Sequence, residues 1–212
     1  MKTIGSTVVS LIVLTLATAA SAGKDRYDVG ETVTAFSLKT LNPTESGTTW
    51  LRLDELVGDK AKDPRRAVLL TFFATYCEPC KREMPFLAAL YKEYKDAGLM
   101  VVSLSIDKEE KDISFVRELA KKNDVTFPVL SDRFNIVAKR YFISKLPCVY
   151  LLNTAGKVAM VNVGYSDDIS KKLLDQIRAA LGTRLDAPIP ETIAKHMLGN
   201  KKGGAESVEA KP

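Results

Sequence analysis

The chain has 212 residues, 46% of them hydrophobic, which suits one domain of ordinary size with a buried core. Its formal net charge of +5 arises from 31 Lys and Arg scattered among 26 Asp and Glu. The sequence has no dense basic run with interleaved aromatic residues, which argues against nucleic-acid binding. Its three cysteines are too few for a small fold held together by disulfides.

The N-terminus has the pattern of a secretory signal peptide over residues 1–22. Lys2 precedes an apolar run, and the small residues of ATAASA match the A-x-A cleavage pattern before Gly23. The alternative is an uncleaved membrane anchor, although the apolar run is short for a span of about 20 residues. Both interpretations place the remainder outside the cytosol, in the periplasm or secreted, where thiols tend to be oxidised.

The first half of the remaining chain predicts two central strands around a helix. Residues 23–32 are polar and predict a flexible lead-in, followed by a weak edge strand in TVTAFSLKTLN and a short strand with one helical turn in TTWLRLDELVG. AVLLTFFA and LMVVSLSID are continuous apolar runs, typical of buried strands. The helix between them starts near Pro79, ends near Gly98, and is expected to kink at Pro85.

The second half adds helices and a hairpin. DISFVRELAKKN predicts a helix, TFPVLSD an extended segment, FNIVAKRYF a short helix, and CVYLLN and KVAMVNVGY two strands joined by a tight turn. DDISKKLLDQIRAALG predicts the last long helix, with Asp167 or Asp168 as its N-cap. A β-α-β start and a β-β-α end indicate an α/β fold, with a mixed sheet covered by helices on both faces.

The C-terminal tail, residues 186–212, differs in composition from the rest. IPETIAKHML predicts a short helix, whereas GNKKGGAESVEAKP is polar and predicts a disordered end. The folded domain is therefore expected to span residues 33–185.

Cys77 and Cys80 lie where a buried strand gives way to a helix. Two-residue spacing at a helix start brings the two sulfurs within bonding distance. Cys77 then lies among unpaired backbone N–H groups at the positive end of the helix dipole, which favours the thiolate that attacks disulfides. We expect Cys77 to attack and Cys80, one turn later and more buried, to resolve.

A metal site and a structural disulfide are the alternatives to redox chemistry for this cysteine pair. A zinc site usually needs two such pairs or additional histidines, and the chain adds only the distant Cys148 and His196, so no metal site is predicted. A purely structural disulfide would close a very small loop and would constrain the unfolded chain little. The spacing and position of the pair therefore favour redox chemistry.

The stretch FFATYCEPCKREMP resembles the active site of the thioredoxin superfamily, in particular its exported TlpA/ResA-like branch, which is related to the AhpC/TSA proteins. VSLSID, VTFPVLSD, LPCVYLLNTAGKV and VGY follow in the order and spacing of that branch. The resemblance covers roughly residues 33–181. It implies a thioredoxin-like fold with an N-terminal extension, and a thiol-disulfide oxidoreductase that needs no cofactor.

The resemblance also implies roles for matching residues. Glu83 would tune the cysteine pKa values and relay protons, although a solvated helix glutamate is the alternative. Pro147 falls at the position of a cis-proline facing the cysteines, and the Leu146 backbone would pair with an extended substrate. Glu78 and Pro79, between the cysteines, would set the redox potential and the surface shape.

Two positions depart from the family pattern. Tyr76 replaces the tryptophan that usually precedes the first cysteine and keeps an aromatic wall there. Cys148 replaces the threonine that usually follows the cis-proline. Cys148 is either a small buried residue filling the space of a threonine, or a third redox thiol and target of overoxidation.

The predicted function is thiol-disulfide exchange with cysteine-bearing exported proteins, such as apocytochrome c in cytochrome c maturation. The expected direction is reduction, with electrons from a membrane thiol-transfer protein. A peroxiredoxin-like peroxidase is one alternative, but its signature needs Thr and Pro where this chain has Ala74 and Leu70. A non-catalytic thioredoxin-fold binding module is the other.

Overall fold

The computed structural model describes residues 25–197 and 205–211. The expected signal peptide, residues 1–22, lies outside the described residues. In the described residues no helix is both long and apolar enough to cross a membrane.

The strands are β1 (Ser37–Lys39), β2 (Trp50–Arg52), β3 (Ala67–Phe73), β4 (Leu99–Ser105), β5 (Val129–Ser131), β6 (Lys145–Leu146), β7 (Cys148–Asn153), β8 (Val158–Val163) and β9 (Val208–Glu209). The helices are α1 (Pro43–Ser46), α2 (Glu78–Tyr94), α3 (Glu110–Lys122), α4 (Ile136–Arg140), α5 (Asp167–Leu181) and α6 (Glu191–Met197).

The central sheet has five strands in the order β5-β4-β3-β7-β8. Strands β3, β4 and β5 run parallel, whereas β7 is antiparallel to both β3 and β8. The sheet is thus mixed, which confirms the predicted α/β thioredoxin-like fold with helices on both faces. All seven residues of β3 and of β4 are buried, which explains why their sequences are continuous apolar runs rather than alternating ones.

Helices α2, α5 and α6 pack together beside this sheet. Helix α2 contacts β4 and α6, and α5 contacts β3, β8 and α6. The buried Arg178 of α5 fixes the connection to α6, because its guanidinium donates to the Tyr94 hydroxyl at 2.9 Å and to the carbonyls of Ala187 and Pro188 at 2.8 and 3.0 Å. Each guanidinium nitrogen therefore keeps a partner where water is excluded.

The lead-in is packed where the sequence suggested flexibility. Tyr27 is 8% exposed and its ring contacts Tyr141 and Tyr150 edge to face. The Gly30 N–H donates to the Val158 carbonyl at 2.8 Å, and Thr32 forms a bridge with Lys157. The expectation of a flexible segment over residues 23–32 is therefore wrong for its described part, because an aromatic anchor and backbone pairing hold it to the hairpin.

The C-terminal tail also departs from expectation. Its helix is present as α6, but residues 205–211 are ordered rather than disordered. Strand β9 pairs antiparallel with β6, in the register Lys145 with Glu209 and Leu146 with Val208. Glu206 forms a further bridge with Tyr165, just after β8. The polar composition of this segment favoured disorder over a strand, because the partner that pairs with it lies far away in the sequence.

The N-cap of α5 is Ser166, not Asp167 or Asp168 as the sequence suggested. The Ser166 hydroxyl accepts a hydrogen bond from the Ile169 N–H at 3.3 Å, and its backbone is extended. Both aspartates occupy the first turn, where their negative charge interacts favourably with the helix dipole. Neither supplies the N-cap hydrogen bond. The helix thus begins immediately after its hydroxyl residue.

We predict that Ser166→Ala lowers the free energy of unfolding by about 1 kcal/mol, because the cap bond to Ile169 is lost. Asp168→Asn is the matched control. It removes a first-turn charge and leaves the cap, so we expect it to lower the free energy of unfolding by less than Ser166→Ala does. Urea unfolding of the oxidised chain followed by circular dichroism measures both. A larger loss for Asp168→Asn would contradict the assigned cap.

Candidate active site

Cys77 and Cys80 lie at the junction of β3 and α2. Cys77 is the N-cap of α2, with its N–H donating to the Ala74 carbonyl at 3.0 Å, and Cys80 is in the first turn. The two are joined by a disulfide with their Cα atoms 5.3 Å apart. The Cys80 N–H points at the Cys77 sulfur at 3.2 Å. This places a helix-terminal donor on the sulfur that would carry the negative charge after reduction.

The two cysteines do not differ in exposure as the sequence suggested. Cys77 is 0% exposed and Cys80 is 1% exposed, so the second is not the more buried one. Between them, Glu78 is exposed and Pro79 is buried. Both cysteines of the disulfide are thus buried.

Asp107 anchors the segment that leads into Cys77, a role that the sequence pattern did not predict. Its carboxylate accepts from the Thr75 N–H at 3.0 and 3.1 Å and from the Thr75 hydroxyl at 2.7 Å. The Ser105 hydroxyl adds a fourth bond at 2.8 Å. Asp107 directly follows the buried strand β4, and a polar residue at that edge of a parallel sheet was the available signal.

Glu83 is a buried carboxyl on the inner face of α2. It is 2% exposed, and the Thr71 hydroxyl of β3 donates to it at 3.1 Å. Burial raises the pKa of Glu83 to about 8, and the bond from Thr71 opposes this in part. The solvated-glutamate alternative is excluded by this burial. At neutral pH the carboxyl is largely protonated, and it can therefore give up or take a proton near physiological pH.

The Leu146–Pro147 segment joins β6 to β7 and is already paired. The peptide bond between these residues is cis. Leu146 is 0% exposed and pairs in register with Val208 of the tail. The backbone that was expected to receive an extended substrate therefore carries an internal strand.

Cys148 begins β7 opposite Phe72. It is a free, buried thiol, and burial, followed by the charge of Glu83, raises its pKa to about 12. A thiol with such a pKa is neutral at physiological pH and is a poor nucleophile. These observations favour the packing interpretation of Cys148 over that of a third redox thiol.

Tyr76, which directly precedes Cys77, is half-buried. Its hydroxyl accepts a hydrogen bond from the Lys211 N–H at 2.7 Å, and the Lys211 ammonium lies 4.4 Å from its ring centroid. The sequence pattern did not predict these tail contacts. A weak signal was available in the alternation of ESVEA, which a half-buried strand would show.

Residues 29–161 match the AhpC/TSA family. The thiol-disulfide oxidoreductase ResA of Bacillus subtilis is 33% identical over 150 residues, which are 71% of this chain and 75% of that protein. ResA of Oceanobacillus iheyensis is 33% identical over 138 residues, which are 65% of this chain and 66% of that protein. The relatives thus share the region that contains the cysteine pair.

A solved structure gives the same answer for the fold. The crystal structure of a putative thiol:disulfide interchange protein DsbE from Chlorobium tepidum has a TM-score of 0.61 and 25% identity. The match covers 74% of this chain and 99% of that one. The chain therefore belongs to the AhpC/TSA family and, within the thioredoxin superfamily, to its ResA-like thiol-disulfide oxidoreductases.

Proposed function

We propose that the protein is an exported protein-disulfide reductase acting on cysteine-bearing proteins. The observation that carries the proposal is the Cys77–Cys80 pair at a helix N-terminus with the buried, protonatable Glu83 on the same helix. Such an arrangement combines a sulfur that a helix N-terminus stabilises as a thiolate with a proton donor and acceptor one turn further along the same helix. The export is proposed from the pattern of residues 1–22.

The chemistry consists of two exchange steps. The Cys77 thiolate attacks one sulfur of the client disulfide, whose S–S bond breaks and whose second sulfur leaves as a thiolate. Cys80, deprotonated, then attacks the Cys77 sulfur of the mixed disulfide, which forms the Cys77–Cys80 disulfide and releases the client's first sulfur. Two electrons pass to the client, and the two protons lost by the cysteines balance those gained by the client thiols.

Glu83 handles the proton of the resolving step. Cys80 must lose a proton to attack, and in the reverse direction it must regain one as it leaves. A buried carboxyl with a pKa of about 8 exchanges a proton readily at neutral pH, whereas an exposed glutamate would already be ionised.

The partners follow from the direction of electron flow. A reductase that returns to its dithiol needs a donor, and we assign that role to a membrane thiol-transfer protein. Apocytochrome c, whose cysteines must be reduced for haem attachment, is the client class that the ResA-like relationship suggests. The peroxidase alternative gains no support, because the buried Ala74 occupies the position where a peroxidatic site would need a threonine.

Insulin reduction in the presence of dithiothreitol separates the enzyme from a binding module. We expect the full-length chain to accelerate precipitation of the insulin B chain over dithiothreitol alone, and Cys77→Ser to abolish the acceleration. A rate equal to that of dithiothreitol alone, for a reduced and folded chain, would support the non-catalytic module instead.

We predict that Cys80→Ser accumulates mixed disulfides with client proteins, because Cys77 still attacks while the resolving thiol is missing. Non-reducing electrophoresis of an exported-protein extract incubated with the variant should show adducts that disappear with dithiothreitol. Cys148→Ser is the control and should give no adducts. Adducts formed by Cys77→Ser in place of Cys80→Ser would reverse the assigned order of attack.

Glu83→Gln is expected to lower the pKa of the thiol to which it couples, by a few tenths of a unit or more. The carboxylate that forms near pH 8 disfavours a neighbouring thiolate, and one unit of coupling corresponds to about 1.4 kcal/mol. The measurement is the rate of iodoacetamide alkylation against pH in the reduced protein, with mass mapping of the modified cysteine. Superimposable curves for wild type and Glu83→Gln would exclude the role of Glu83.

The same substitution is expected to change how stability depends on pH. The pKa of Glu83 is raised in the folded state, so the folded chain holds a proton that the unfolded chain releases above about pH 4.5. Wild-type stability relative to Glu83→Gln should therefore fall as pH rises from about 5 to about 8, at up to about 1.4 kcal/mol per unit.

Urea unfolding of the oxidised proteins at several pH values measures this difference. Glu78→Gln, at an exposed glutamate in the first turn of the same helix, is the matched control and should follow wild type. Parallel stability curves for wild type and Glu83→Gln would mean that the Glu83 carboxyl is ionised in the folded protein.

A further inference from the structure

Residues 205–211, here named the C-terminal strap, lie along β6 and Tyr165, at the edge where the family resemblance places an extended client. Burial alternates strictly along the strap. Glu206, Val208 and Ala210 are half-buried, and the residues between them are exposed. A repeat of two residues in burial is typical of a strand that packs one face against the protein and exposes the other. The strap therefore lies on the protein as a strand with an inner and an outer face.

The strap uses the backbone groups that an extended client would use. The Ala210 N–H donates to the Ser144 carbonyl at 2.8 Å, and Val208 pairs in register with Leu146. At the other end, the Tyr165 N–H donates to the Glu206 carbonyl at 2.9 Å, and the Glu206 N–H donates to the Tyr165 carbonyl at 3.1 Å. A client strand and the strap cannot both occupy this edge, because each backbone group there serves one neighbour.

Side chains fasten the strap on both sides of the disulfide. Glu206 forms an ion pair with Arg82, two residues after Cys80 on α2. Lys211 contacts Tyr76, one residue before Cys77, through its N–H and through its ammonium over the ring. Glu209 lies 3.6 Å from the Lys145 ammonium on the outer face. The strap thus contacts the residues that flank both cysteines, and with the strap in place Cys77 is fully buried.

We propose that the C-terminal strap is an internal mimic of the client, which keeps the active site closed until an extended client segment displaces it. The inference rests on the proposed function. It also specifies the client: an extended segment with small apolar residues at alternate positions, and carboxylates placed to meet Arg82 and Lys145. The strap residues ESVEA supply this pattern themselves.

The fraction of molecules with the strap docked sets how much the reaction rate rises when the strap is removed. The observed rate of a reaction that needs the open form falls in proportion to the fraction that is open. If the strap is docked in about nine molecules of ten, its removal raises the rate about tenfold.

The test compares two proline variants in the full chain and a truncation that ends at residue 204. Ala210→Pro removes the N–H that bonds to Ser144, whereas Ser207→Pro places the same ring at an exposed position whose N–H points away from that edge. The readouts are the iodoacetamide alkylation rate of Cys77 in the reduced protein and the rate of insulin reduction. We expect Ala210→Pro and the truncation to raise both rates severalfold, and Ser207→Pro to match wild type.

A peptide supplied in trans provides the second measurement. AESVEAK, the sequence of residues 205–211, should slow both reactions of the truncated chain, whereas AKSVKAK, with both carboxylates reversed in charge, should not. Equal inhibition by the two peptides would overturn the proposed client chemistry. Wild-type rates in a folded Ala210→Pro variant would overturn the strap proposal, as would loss of cooperative unfolding in that variant, because the strap would then be a structural strand that cannot leave.

Failure of the proposed function has a different signature. If alkylation accelerates on strap removal but no variant reduces insulin, the strap closes the site and the reductase assignment is wrong. If insulin is reduced at equal rates by wild type, Ala210→Pro and the truncated chain, the reductase assignment stands and the strap proposal is wrong.

Discussion

The site depends on the burial of β3 between two neighbouring strands. All seven residues of Ala67–Phe73 are buried, and their backbone groups pair with β4 on one side and β7 on the other. This strand has no freedom to shift, so its carboxyl end delivers Cys77 to a fixed place at the start of α2. The Asp107 carboxylate, at the end of the parallel neighbour β4, holds the intervening Thr75 through its N–H and hydroxyl.

The same geometry sets two opposing electrostatic effects on the cysteines. The start of α2 favours negative charge on sulfur, because its N–H groups lack partners within the helix. Glu83 is buried one turn beyond Cys80, and on its proposed role its charge would work in the opposite sense once it is ionised. Because its pKa is raised to about 8, this opposition is small at neutral pH and grows as the solution becomes basic. On the proposed role of Glu83, the pKa of the coupled thiol is therefore lowest while the carboxyl is still neutral.

Sequence patterns predicted those parts of the molecule whose causes are local. The apolar runs of β3 and β4, the amphipathic α2 and the placement of Cys77 and Cys80 at a strand–helix junction all follow from the spacing of residues in a short window. The N-cap of α5 is local too, yet Ser166 and Asp167 are both capping residue types. The residue type alone could not decide which of the two caps the helix, whereas the extended backbone of Ser166 identifies it as the N-cap.

The features that the sequence did not reveal depend on contacts between distant segments. Tyr27 is held by aromatic rings more than a hundred residues away, and the strap is held by β6 and Tyr165. Polar composition predicted flexibility in both cases, because it measures the apolar area that a segment can bury and not the backbone partners that it can find. An unpaired edge beside a reactive disulfide offers such partners. An open strand edge also attracts unrelated chains, and the internal strand covers this one.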